Sequence, residues 1–94
     1  MQAEIENYWR QPAGNRVTAA PFYFERVAIL QRKAKNYEAE IAACEAWIRI
    51  IDDYKDQDSV KNGVGAKVWL GPGSRKIMDR LPRARELLER QKAA

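Results

Sequence analysis

The residues best suited to chemistry in this sequence are cations near the C-terminus. They recur at steps of 4, 3 and 7, as Lys76, Arg80, Arg83 and Arg90. On a helix this spacing predicts a basic row along one face, which suits phosphate groups because bound cations displace the counterions of a nucleic acid. Arg75 and Lys76 also follow a Gly-Pro-Gly-Ser turn, where the free N–H groups of a helix start would add to an anion site.

A second basic patch, formed by Arg32, Lys33 and Lys35, lies in the middle of the chain. Acidic residues interrupt the C-terminal row, and no aromatic side chain is interleaved with it for base stacking. A mixed charged face is also what an ordinary solvated helix presents. Nucleic-acid binding by these residues is therefore the alternative hypothesis.

Catalytic chemistry is not expected, because the chain has no histidine and a single cysteine. This composition excludes His-based triads, Cys/His zinc sites and disulfide scaffolds. Four aspartates, Asp52, Asp53, Asp56 and Asp58, do not follow the spacing of a calcium-binding EF-hand loop. The glycine-rich segment at residues 63–67 lacks the spacing of a phosphate-binding loop. We expect no enzymatic activity, no metal and no cofactor.

One apolar pattern dominates the elements that must position these residues. Its members follow one another at alternating steps of 4 and 3: Tyr23, Val27, Leu30, Ala34, Tyr37, Ile41, Cys44, Ile48 and Ile51. The spacing predicts one long amphipathic helix over residues 21–55. Pro21 suits the first helical position, and the aspartates suit the end. Cys44 falls on this seam and is predicted to be a buried small side chain.

The rest of the chain is predicted to be shorter elements around this helix. Residues 1–20 form an arm and linker with a short helix over 3–10, and residues 56–73 form a loop. Within that loop, residues 67–70 are β-prone and predict an extended segment. A basic C-terminal helix over 74–92 begins with Ser74 as N-cap and is kinked or split by Pro82. The predicted fold is all-α: one domain, residues 1–94, built as an antiparallel helical hairpin.

A difference in length between the two predicted helices suggests where a partner docks. At about 1.5 Å per residue, the long helix spans roughly 52 Å and the C-terminal helix roughly 28 Å. The hairpin would cover residues 38–55 and leave the seam at 23–37 to the arm, a second copy of the chain or a foreign protein. The predicted partner-binding residues are aromatic or apolar, with one loop proline: Tyr8, Trp9, Phe22, Phe24, Val27, Leu30, Tyr37, Trp69 and Pro72.

Charge and hydropathy complete the prediction of function. The net charge is +4, and the basic excess lies in the last third of the chain. No apolar run approaches a membrane span, and the N-terminus lacks a signal core, so a cytoplasmic protein is expected. We expect a small non-catalytic regulator or inhibitor that binds a larger protein. Accessory proteins of phages and mobile elements that act on host enzymes are often of this type.

Overall fold

The fold is a small bundle of helices. The computed structural model describes residues 1–63 and 67–94, and every regular element among them is helical, which confirms the all-α prediction. In chain order the helices are α1 (Gln2–Arg10), α2 (Phe22–Lys33), α3 (Tyr37–Lys55), α4 (Asp58–Lys61) and α5 (Pro72–Ala93). Helices α2, α3 and α5 pack against one another, and α1 packs on α3.

The prediction of one continuous helix over residues 21–55 is wrong. The chain leaves the helical path at residues 34–36, where Lys35 has a φ of 59°. Asn36 then caps α3, because its side-chain oxygen accepts a hydrogen bond from the Ala39 N–H at 3.3 Å. The heptad pattern continues across this break, so spacing alone does not reveal it. The capping residue does, because Asn favours helix starts over helix interiors.

The break lets α2 fold back along α3. The rings of Phe24 and Trp47 lie 5.0 Å apart between centroids, and Arg32 at the other end of α2 reaches Glu40 near the start of α3. The hairpin that the structure contains is therefore α2 with α3. Part of the 23–37 segment, which the predicted hairpin leaves uncovered, is packed in the core through Phe24 and Ala28, because the turn folds α2 back onto α3.

Helix α5 lies against both arms of this hairpin. Its contacts with the α2–α3 hairpin are spread along its length: Ser74 with Trp47, Arg80 with Glu40, and Gln91 with the backbone oxygen of Lys35. As residue numbers rise along α5, the residues that it contacts on the hairpin fall from 47 to 40 to 35, so α5 and α3 run in opposite directions. The core between the three helices is made of apolar side chains that are buried or nearly so, among them Phe24, Ala28, Ala43, Cys44, Trp47, Ile50, Ile51, Ile77, Leu81 and Ala84.

The start of α5 differs from the prediction. The helix begins at Pro72 with Gly71 as N-cap, because proline has the fixed φ that suits a first helical turn. Ser74, the predicted N-cap, is buried instead, and its hydroxyl oxygen accepts a hydrogen bond from the Trp47 indole N–H at 2.8 Å. Pro82 does not split the helix, which continues through it to Ala93. Pro82 is exposed.

The arm and the loop complete the bundle. Helix α1 agrees with the predicted arm helix at 3–10, and its Tyr8 is buried against the core. The predicted loop contains the short helix α4, and a 3₁₀ turn at Val68–Leu70 stands where an extended segment was predicted. That prediction is wrong because no strand among the described residues offers the segment a pairing edge.

Candidate functional site

A buried carboxylate fixes the position of α2 at its C-terminal end. Glu40 is fully buried and accepts hydrogen bonds from two guanidinium groups. Arg32 from α2 pairs with both carboxylate oxygens, at 3.0 Å through Nε and 2.8 Å through Nη2, and Arg80 from α5 binds Oε2 at 3.0 Å. Because a buried charge is costly unless it is paired, this cluster ties α2, α3 and α5 together.

The N-terminal end of α2 is fixed by packing. Phe24 is 1% exposed and lies against Trp47. Pro21, just before α2, lies so close to Gly73 of α5 that a Cβ on that glycine would come within 2.9 Å of the proline ring. Glycine at this position therefore allows α2 and α5 to approach closely, and α2 is held at both ends.

The outer face of α2 carries an exposed apolar stripe. It consists of Tyr23, Val27, Leu30 and Ala34, which we call the outer stripe. Folding back buries Phe24 and Ala28, one position further round the helix, rather than these residues. Tyr23 is 45% exposed and Leu30 is 47% exposed, whereas Val27 is half-buried. The first half of the predicted seam is thus on the surface although α2 is packed in the bundle.

The charges beside the outer stripe have one sign. Arg26 lies between Tyr23 and Leu30 in sequence, Lys33 follows Leu30 by three residues, and both side chains are exposed. Residues three and four apart are neighbours on a helix surface, so both cations border the stripe. Glu25 is the single acidic residue of α2, and its carboxylate points towards Gly73 of α5 on the packed side. The arrangement presents an apolar stripe with a cationic border.

The structure divides the predicted partner-binding residues into three groups. Tyr8 and Phe24 are buried in the chain's own core, so their assignment to a partner surface is corrected. Val27, Tyr37 and Trp69 are half-buried. The remaining four are exposed: Trp9, Phe22, Leu30 and Pro72. Of all nine, Val27 and Leu30 lie in the outer stripe.

The predicted basic row is not a continuous free surface. Arg80 and Arg32 face Glu40, and Arg83 and Arg90 both pair with Glu86, at 3.1 and 2.6 Å. The other four predicted anion-binding residues are exposed but separated. Lys33 and Lys35 lie at the α2–α3 turn, and Arg75 and Lys76 lie near the start of α5, close to the start of α2. The length of α2, roughly 18 Å, separates the two pairs.

A second polar cluster attaches the N-terminal arm to the end of α3. Asp53 accepts hydrogen bonds from the Tyr8 hydroxyl at 2.7 Å and from Arg16 at 3.0 Å. The side-chain oxygen of Gln57 accepts the backbone N–H groups of Gly14 and Arg16 at 2.7 and 3.0 Å. One of the predicted helix-ending aspartates therefore anchors the arm.

The sequence does not single out Glu40, Asp53 or Gln57 as organising residues. Glu40 sits one position before Ile41 of the seam, and this closeness to the apolar pattern was its only signal. Among the described residues, no group of three or more His, Cys, Asp or Glu side chains could hold a metal ion. Residues 64–66 of the glycine-rich segment lie outside the described residues.

Burial raises the pKa of three side chains: Tyr54 and the two considered next. Burial raises the pKa of the Cys44 thiol to about 11, and the negative charge of Glu40 acts in the same direction. Burial also raises the pKa of Tyr8, together with its hydrogen bond to Asp53. Both groups are therefore protonated near neutral pH, and the Cys44 thiol is not activated as a nucleophile.

Within the part of the chain that the structure describes, no helix is long and apolar enough to cross a membrane. No family model, curated protein or solved structure matches this chain.

Proposed function

We propose that this chain is a small non-catalytic binding protein that regulates or inhibits a larger protein by docking on it through the outer stripe. The observation that supports this is the exposure of Tyr23 and Leu30 on a helix that is already fixed at both ends. Apolar residues at steps of 4 and 3 on one helix face are the usual anchors of a helix laid into a partner's groove. A fixed helix also loses little conformational freedom on binding.

Site-specific photocrosslinking tests this proposal. A photoreactive amino acid is placed at Leu30, and at Leu70 as the matched control, because Leu70 is 62% exposed and lies outside α2. In cells that naturally produce the protein, we expect one discrete crosslinked protein from position 30 and none from position 70. Equal labelling from both positions, or no crosslink from position 30, would contradict docking through the outer stripe.

Nucleic-acid binding through the basic C-terminal helix is the second candidate. Four α5 cations, Arg75, Lys76, Arg83 and Arg90, are exposed, which supports it, and the pairing of two of them with Glu86 weakens it. Filter binding of duplex and single-stranded DNA at two salt concentrations tests it. Affinity that falls steeply with salt, and that is lost on charge reversal at Arg75 and Lys76, would favour this candidate.

A further inference from the structure

We infer that the occupant of the outer stripe is an acidic amphipathic helix of the partner protein. This rests on the proposed docking function and adds the chemistry of the partner. The matching helix carries apolar residues at alternating steps of 3 and 4, with Asp or Glu at the positions that flank them. The charges around the outer stripe, its width and its composition each favour this occupant.

The exposed charges beside the outer stripe determine the sign of the charge that the partner's surface carries. Arg26 and Lys33 are exposed beside the outer stripe, and Lys35 lies exposed at the turn that follows α2. The other two charged side chains beside these cations on α2 face the bundle: Arg32 pairs with Glu40, and the carboxylate of Glu25 lies near Gly73 of α5. The cations available to a docking partner thus have no acidic neighbour on α2. Carboxylates flanking the partner's apolar residues would complement them.

The same charges disfavour a second copy of this chain as the occupant. If two outer stripes paired in parallel, Arg26 would face Gln31 of the other copy, which supplies no carboxylate. In the antiparallel arrangement Arg26 of one copy would face Lys33 of the other. The parallel pair therefore lacks an attractive charge contact, and like charges oppose the antiparallel pair.

The shape of the outer stripe favours a helix over a lipid surface. Its residues follow a heptad spacing, which makes a narrow seam of the kind that two helices share. Ala34 and half-buried Val27 contribute little apolar area to insert into a bilayer. Interfacial membrane helices have instead a broad, strongly apolar face.

Selection from a peptide library tests the inference. The probe is a displayed library of three-heptad helical peptides with leucine at the a and d positions and Glu, Lys, Gln or Ser at each flanking position. The library is selected on the full chain and depleted on a Leu30→Asp chain, whose folding is checked by circular dichroism. We expect peptides that depend on Leu30 and carry Glu at the flanking positions several-fold more often than Lys.

Charge reversal on the chain provides the matched measurement. The Arg26→Glu/Lys33→Glu variant should weaken binding of the selected peptides by about tenfold, because two attractive pairs become repulsive. The Arg10→Glu/Lys61→Glu variant has the same net charge and changes exposed cations outside α2, so we expect less than about a twofold change. Equal weakening by both variants would overturn the inference.

The other outcomes separate this inference from the proposed function. Peptides that depend on Leu30 but show no acidic preference overturn the acidic helix and leave docking intact. Failure to recover any peptide that survives depletion on the Leu30→Asp chain overturns the outer stripe as a docking surface. A dimer in sedimentation that Leu30→Asp dissociates assigns the stripe to a second copy. Binding to phosphatidylserine vesicles that Leu30→Asp abolishes assigns it to a membrane. Either result overturns the acidic helix.

Discussion

Arg32 and Glu40 form a two-point ion pair across the turn between α2 and α3, only eight residues apart in the chain. The pair closes the hairpin, and Arg80 from α5 binds the same carboxylate. Since Glu40 is fully buried and the two arginines are partly exposed, the carboxylate is the group that depends on its partners. The outer stripe keeps its position because this cluster holds α2 against the bundle.

The first prediction concerns the charge of Glu40. Glu40→Gln should lower the free energy of unfolding by about 3 kcal/mol, because both guanidinium groups would lose their anionic partner inside the bundle. Urea denaturation followed by circular dichroism measures this change. The matched control is Glu45→Gln, since the Glu45 side chain is 44% exposed and lies 3.7 Å from Arg85; we expect a loss of less than about 0.5 kcal/mol. Similar losses in the two variants would count against the role of the cluster.

The second prediction concerns the turn between α2 and α3. Lys35 has a positive φ, a backbone conformation that residues other than glycine adopt at an energetic cost. Lys35→Gly should therefore stabilise the fold by about 0.5–1 kcal/mol. Lys33→Gly, two residues earlier and inside α2, should destabilise it by about 1 kcal/mol. Opposite signs in thermal or urea unfolding would support the break. The same sign for both variants would mean that the helix continues.

The third prediction concerns the cap of α3. Asn36→Ala removes the side-chain oxygen that accepts the Ala39 N–H, and it should cost about 1 kcal/mol. Asn36→Asp retains an acceptor and adds a negative charge at the helix start, so its stability should equal or exceed that of the original chain. Equal losses in the two variants would contradict the capping role. Denaturant midpoints measured at neutral pH decide between these results.

The elements of this fold differ in how far sequence could predict them. The helical class, α1 and the end of α3 near Lys55 follow from periodicity and from the aspartates. The break at residues 34–36 does not, because an unbroken heptad pattern is compatible with one long helix or with a hairpin. Burial of both hairpin arms in the core decides between them. That long-range energy has no local signature beyond Asn36.

The candidate site was predicted in part for the same reason. The seam at residues 23–37 was identified from spacing, and its residues Tyr23 and Leu30 are exposed on α2. Phe24 lies next to Tyr23 in sequence and is in the core, because the fold-back rotates a neighbouring face inward. The predicted basic row is likewise interrupted, because Arg80 pairs with Glu40 and Arg90 pairs with Glu86. The pairing with Glu40 depends on how α3 and α5 pack, which the spacing of the cations does not reveal.

The fourth prediction concerns the pH dependence of stability, through Cys44. Its pKa is raised from 9.0 to about 11 in the folded chain, because the buried thiolate would be poorly solvated. Below about pH 9 the thiol is mostly protonated in both the folded and the unfolded chain, so its contribution to the free energy of unfolding does not change with pH. Between about pH 9 and 11 the unfolded chain ionises while the folded chain does not. The free energy of unfolding should therefore fall by about 2–3 kcal/mol as the pH rises through this window.

Comparison with Cys44→Ala isolates this effect. The substitution lowers stability at every pH by a similar amount because it leaves a small cavity, but it removes the thiol ionisation. Urea unfolding under reducing conditions at pH 8, 9, 10 and 11 should give a steeper decline for the original chain than for the variant. Tyr8 and Tyr54, whose pKa values are also raised by burial, add a decline above about pH 10 that both chains share. Parallel curves would show that the thiol ionises with the same pKa in the folded and unfolded chains, and therefore that Cys44 is open to solvent.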